Sequence, residues 1–184
     1  MVRTPSTMLT LGTQAPDFEL PNIDGRLVTL ADAAGPRGTV VMFICNHCPF
    51  VKHIRDEIAA IGREYVPRRL AIAAISSNDP VAYPADGPHE MAREACEAGY
   101  CFPYLFDPTQ EVARAFDAQC TPDIFLYDAS HRLVYRGQLD DSRPKSGIPV
   151  TGRDLRQAIE AVLSGSQVPE RQLPSVGCSI KWRG

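Results

Sequence analysis

No run in this 184-residue chain approaches the ~18 apolar residues that a membrane helix needs. Residues 1–10 carry one early arginine but no apolar stretch and no small-residue cleavage site of the kind a secretory signal has. These absences exclude a helical membrane protein and lead us to expect a cytoplasmic chain, whose thiols are kept reduced. Internal repeats and low-complexity segments are also missing, which argues against a solenoid or a linker. Basic residues are in deficit, 19 against 22 acidic, for a net charge of −3. Their only cluster, Arg68-Arg69, is too short to track a phosphate backbone, so neither a nucleic-acid nor an anionic-membrane partner is expected. Finally, no Gly-rich fingerprint such as G-x-G-x-x-G occurs, so no nucleotide or flavin cofactor is expected and any electrons should travel through thiols.

What is present suits one ordinary domain. Apolar residues make up 44% and charged residues 22%, which excludes a disordered, coiled-coil or collagen-like chain. At this length the core needs no disulfide or metal to hold it together. Two short alternating stretches, 17–20 and 27–30, bracket an Asp24-Gly25 turn and predict a hairpin. The apolar runs 39–45 and 70–76 predict buried strands. Between them, Val51, Ile54, Ile58 and Ile61 recur at helical spacing. Further helices are predicted over 88–99, 109–116 and 152–163, with short strands at 104–106, 123–127 and 132–136. Alternating strand and helix, followed by a late hairpin, implies an α/β fold: a mixed central sheet flanked by helices, with an N-terminal β-hairpin extension. The expected body spans residues 12–163. Residues 164–184, rich in Pro and Gly, are expected to form an irregular tail pinned by Ile180 and Trp182.

The chemistry concentrates at Cys45-Asn46-His47-Cys48-Pro49, where the first buried strand meets the first long helix. Proline fits only the first turn of a helix, so the helix must begin between Cys45 and Pro49. Both sulfurs are then expected beside the positive end of the helix dipole, which can lower a cysteine pKa from ~8.5 into the ~3.5–7.5 range. The two-residue spacing also lets the sulfurs close a small disulfide ring, one attacking a partner disulfide and the other resolving the mixed product. Two cysteines that merely pack would be the bland reading.

Three motifs resemble the thioredoxin superfamily, in its redoxin branch of peroxiredoxin-like and thiol–disulfide proteins: residues 12–20 (GTQAPDFEL), 45–48 (CNHC) and 121–126 (TPDIFL). The resemblance extends over about residues 12–163. The ending 177–182 (GCSIKW) is similar to that of a peroxiredoxin-like subgroup. The resemblance implies a thioredoxin-like fold, Cys45 as an exposed nucleophile, Cys48 as a more buried resolving thiol, and a cis Pro122 after Thr121 supporting the site. It also implies protein or small-molecule disulfides as substrates, with peroxide as an alternative, and a thiol electron donor. His47 stands where more oxidising members carry a histidine; it either assists Cys45 or faces solvent.

Departures from the family pattern bear on mechanism. Peroxiredoxins carry Pro-x-x-x-Thr-x-x-Cys; with Cys48 as that cysteine, Val41 and Cys45 replace the Pro and Thr. Thr39 replaces the buried aspartate of thioredoxins, leaving Asp123, Asp140 and Asp141 as candidate proton acceptors. Cys120 and Cys178 are further redox thiols or packed ones; Cys96 and Cys101 read as packing residues, and His53 as a surface residue. Three readings result. The leading one is a thiol–disulfide oxidoreductase using Cys45 and Cys48. The second is a peroxiredoxin-like antioxidant in which Cys48 forms a sulfenic acid resolved by Cys45, Cys120 or Cys178. The third is a Zn or Cu(I) binder using Cys45, His47, Cys48 and Cys120. Three ligands within four residues is unlike the paired spacing of structural sites, and no metal site is assigned.

Overall fold

The apolar run that begins at Thr39 folds into the strand around which the molecule is built. In the computed structural model, which describes residues 3–183, the elements in chain order are β1 (Arg3–Pro5), β2 (Glu19–Pro21), β3 (Leu27–Thr29), α1 (Leu30–Ala33), β4 (Thr39–Phe43), α2 (Pro49–Tyr65), β5 (Ala71–Ser76), α3 (Pro88–Ala98), β6 (Tyr104–Phe106), α4 (Glu111–Ala115), β7 (Cys120–Thr121), β8 (Asp123–Tyr127), β9 (Leu133–Arg136), α5 (Arg153–Ser164) and β10 (Val176–Ser179). The main sheet runs β6-β5-β4-β8-β9, with β4, β5 and β6 parallel and β8 and β9 antiparallel, so the sheet is mixed as expected. No helix among the described residues is long and apolar enough to cross a membrane.

Every residue of β4 is buried, because both faces of the sheet are covered. Its side chains alternate between two cores, as the two-residue period of a strand requires. Val40 and Met42 join Ile54, Ile58 and Ile61 of α2 and Leu155 and Ile159 of α5 on one face. Val41 and Phe43 meet Phe116, Phe125 and the hairpin residue Leu20 on the other. Each buried Ile or Leu contributes roughly 1.5–3 kcal/mol, so the face of α2 fixes where its N-terminus stands. Thr29 caps α1 through a capping box with Asp32, and Gly99 closes α3 in the left-handed conformation.

The tail departs from expectation. Residues 176–179 form β10, which lies between β1 and β7 in a separate antiparallel sheet. Three short strands from residues 3–5, 120–121 and 176–179 thus meet, and none is long enough to announce itself by periodicity. Ile180 is buried, and Trp182 stacks under the Arg114 guanidinium at 4.4 Å. Gly184, the last residue of the expected tail, lies outside the described residues.

Gly177 permits this arrangement. A Cβ built there would stand 2.0 Å from the Thr121 carbonyl oxygen and 2.5 Å from its carbon, both backbone atoms that cannot swing aside. Gly177→Ala should therefore push β10 off β7 and cost about 1–3 kcal/mol, read as a lower denaturation midpoint with an unchanged urea slope.

Candidate active site

The C-terminal end of β4 and the N-terminus of α2 frame the sulfurs. Ile44 N–H still bonds the Ile75 carbonyl at 3.0 Å, and the chain then leaves the sheet. Pro49 occupies the first helical turn and Cys48 is the N-cap residue, with extended backbone (φ −68°, ψ 121°). Cys48 therefore sits at the positive end of the dipole as expected, whereas Cys45 stands three residues before it.

The segment facing them is Thr121-Pro122, joined by a cis peptide bond. Thr121 meets both sulfurs: its carbonyl oxygen is 3.1 Å from Cys48 Sγ, and its hydroxyl is 3.3 Å from Cys45 Sγ. Cys178 Sγ, delivered by β10, is 3.1 Å from Cys48 Sγ. The expectation of an exposed Cys45 above a buried Cys48 is corrected here, since their residues are 1% and 0% exposed. The Thr121 segment packs against both sulfurs, and loop 83–86 packs on Asn46 and His47 between them. Cys120 is buried too, but its thiol points at the Pro122 carbonyl, 3.5 Å away.

Electrostatics divide the pair. The Cys45 thiol is held well above its ordinary pKa by the hydrogen bond it shares with Cys48, by burial and by the nearby Asp86 charge. Cys48 is lowered to about 5 by that same hydrogen bond, with help from Cys178, the Val51 N–H and Thr121. The helix N-terminus and Asp86 both favour the negative charge on Cys48 rather than Cys45. Negative charge on the pair is thus favoured at Cys48, the residue at the helix N-terminus. Burial and the neighbouring Cys48 push Cys178 up to about 12, and burial raises Cys120 further.

Asp86 is the residue that sequence reasoning missed. It is fully buried, and its Oδ1 accepts the backbone N–H groups of Asn46 (2.9 Å) and His47 (3.1 Å). Oδ2 meets His47 Nδ1 at 2.5 Å and the Asn78 side-chain amide at 2.8 Å. His47 Nδ1 is only 3.9 Å from Cys45 Sγ, so its short contact is with Asp86 instead. The ring stacks on Tyr83 at 4.9 Å, and its side chain is 25% exposed. No spacing rule links residue 86 to residue 47, and Asp86-Gly87-Pro88 reads simply as the lead-in to a helix.

The carboxylates proposed from sequence are engaged elsewhere. Asp123 pairs with the buried Arg136 at 3.2 Å, and burial raises its pKa to about 6. Asp140 caps the backbone of Ser142, Thr151 and Gly152, while Asp141 pairs with Arg153 at the surface. Thr39 accepts the Gly35 N–H at 3.0 Å. Three smaller expectations are also corrected. Cys96 and Cys101 are exposed, and His53 is half-buried against the Ser142 hydroxyl at 2.7 Å. For a metal, Cys45, His47 and Asp86 offer ligand atoms within 4.8 Å of one another, without Cys48 or Cys120. Asp86 already accepts four N–H contacts, which makes it a poor ligand.

A mixed sheet with vicinal sulfurs at a strand–helix junction, facing a cis-proline segment, defines a thioredoxin-like protein of the thiol oxidoreductase or peroxiredoxin-like class. A solved thiol:disulfide interchange protein from Chlorobium tepidum, provisionally so named, superposes with a TM-score of 0.67 over 85% of this chain and 99% of its own, at 21% identity. The chain belongs to the AhpC/TSA family, whose model matches residues 11–136. A Mycobacterium tuberculosis H37Rv protein, provisionally named a peroxiredoxin, is 34% identical over 116 residues, 62% of this chain and 68% of that one. An uncharacterized conserved protein from Geobacillus kaustophilus is 54% identical over 100% of this chain and 97% of that one, with a TM-score of 0.98.

Asp86→Asn replaces an acceptor-only carboxylate with an amide that must turn hydrogens toward other donors. It should destabilise the protein by about 2 kcal/mol and, by removing a negative charge, let Cys45 ionise at lower pH. Thermal melting and the pH dependence of alkylation, resolved by peptide mapping, check both.

Proposed function

We propose that the protein is a thiol–disulfide oxidoreductase cycling Cys45 and Cys48 between dithiol and disulfide. The observation that carries this reading is the pair of buried sulfurs at the N-terminus of α2, both in contact with Thr121 of the cis Thr121-Pro122 segment. Cys48 is poised as a thiolate, and Cys45 lies toward the partly exposed His47 side of the loop. As a substrate disulfide approaches, the Cys45 proton passes to Cys48 and Cys45 attacks. The bond from Cys45 to the substrate sulfur forms as the substrate disulfide breaks. Cys48 then gives up the proton to the departing substrate thiolate and attacks Cys45 Sγ; the Cys45–Cys48 bond forms as the mixed disulfide breaks, and the second substrate sulfur leaves with the electron pair and takes a proton from solvent. In this scheme Cys48 fills the proton-acceptor role for which the chain has no aspartate. Thr121, Pro122 and His47 shape the mouth of the site, and burial of both sulfurs favours small or extended disulfides that can reach past Tyr83. Electrons return through an external thiol donor, and the expected setting is a reducing one.

One observation favours a second reading, a Cys48-centred peroxidase: the low pKa of Cys48 gives the thiolate that peroxide chemistry needs. Val41 and Cys45 oppose it, standing where peroxiredoxins place Pro and Thr.

Cys45→Ser should reduce turnover of a test disulfide by ~100-fold or more, and Cys48→Ser should trap a mixed disulfide on Cys45. Parent-like turnover in Cys45→Ser would sink the dithiol reading. Because the thiolate is lost as pH falls through about 5, the wild-type rate should hold from neutral pH down to that region and then decline about tenfold per unit. Stopped-flow oxidation by hydrogen peroxide no faster than that of free cysteine would remove the peroxidase reading.

A further inference from the structure

Cys178 stands in contact with Cys48, yet the dithiol cycle does not use it. Its sulfur is 3.1 Å from Cys48 Sγ, so closing to the ~2.05 Å of a disulfide asks for a shift of about 1 Å. The residue is 2% exposed, and its backbone is paired with Thr121 across β10 and β7. The approach is close because Gly177 has no side chain to keep β10 off the Thr121 carbonyl. Cys120, the other buried cysteine of this region, turns instead to the Pro122 carbonyl.

We propose that Cys178 is a third redox thiol, which takes over Cys48 from the Cys45–Cys48 disulfide and forms a Cys48–Cys178 disulfide. The inference rests on the dithiol reading and extends it. Cys178 sulfur attacks Cys48 Sγ; the Cys48–Cys178 bond forms as the Cys45–Cys48 bond breaks. Cys45 departs with the electron pair of the broken bond and receives the proton that Cys178 gives up. No oxidant enters and no electrons leave, because one disulfide replaces another. The protein gains an oxidised state in which Cys45 is again a thiol, able to meet a second substrate, while the bridge is held inside and ties β10 to the N-terminus of α2. The Lys181 charge favours the Cys178 thiolate, opposing the burial that holds the thiol protonated.

The test oxidises full-length wild type, Cys45→Ser and Cys178→Ser with glutathione disulfide across a series of glutathione buffers, followed by acid quench, tryptic digestion and non-reducing mass spectrometry. The relay predicts a cross-link between peptides 38–52 and 172–181 in wild type as well as in Cys45→Ser. In oxidised Cys45→Ser, labelling of Cys178 by N-ethylmaleimide after denaturing quench should fall about tenfold or more relative to the reduced protein. A lasting glutathione adduct on Cys48 in Cys45→Ser, with Cys178 still fully labelled, overturns the relay. So does an oxidised wild type that holds only the Cys45–Cys48 bridge in every buffer. Cys178→Ser separates the two levels: a normal Cys45–Cys48 bridge there leaves the dithiol reading standing whatever becomes of the relay. If neither wild type nor Cys178→Ser forms that bridge, the dithiol reading fails and the relay loses its donor. Cys178→Ala, with its melting curve, guards against a serine variant that fails to fold.

Discussion

Three parts of the chain meet at the backbone of Thr121, and the geometry of the site depends on that junction. Its carbonyl contacts Cys48 Sγ, its hydroxyl faces Cys45, and the chain at Gly177 lies against its carbonyl with no room for a side chain. The residue is 2% exposed, so these contacts are made out of water, where a misplaced polar group costs most. Moving Thr121 would disturb the sulfur pair, the tail strand and the start of β8 together.

A second constraint comes from the distribution of charge around the two adjacent thiols. The helix N-terminus draws negative charge toward Cys48, and the buried Asp86 carboxylate keeps it away from Cys45. The same carboxylate fixes the loop by accepting the N–H groups of Asn46 and His47. Asp86 thus shapes the site both by position and by charge, and it does so from a turn that contributes no sulfur. His47, placed by sequence beside the nucleophile, is drawn to this carboxylate because a charged acceptor at 2.5 Å outweighs a sulfur at 3.9 Å.

Burial sets the third. Sulfurs that water barely reaches are protected from indiscriminate oxidation, and His47, whose ring lies 3.9 Å from Cys45 Sγ, is the residue of the Cys45–Cys48 segment that solvent partly reaches. In this chain the peroxiredoxin Pro and Thr positions hold Val41 and Cys45, so its own residues set its reactivity.

Local chemistry made much of this legible. The all-buried β4 followed from a continuous apolar run, the register of α2 from Val51, Ile54, Ile58 and Ile61, and its starting point from Pro49, because proline admits few backbone states. The sequence by itself determined the α/β class, the strand–helix junction and the two cysteines placed at it, since each rests on neighbours within a few residues. Only the tertiary structure decided which carboxylate serves the site, that Cys45 is buried, and that a Pro- and Gly-rich tail supplies both a strand and a third sulfur. Those outcomes depend on segments 39 to 130 residues apart coming together, as Asp86 does with His47 and Cys178 with Cys48. A two-residue strand such as β7 or a single buried aspartate has no periodicity of its own to announce it, and its partners exist only once the chain has folded around them.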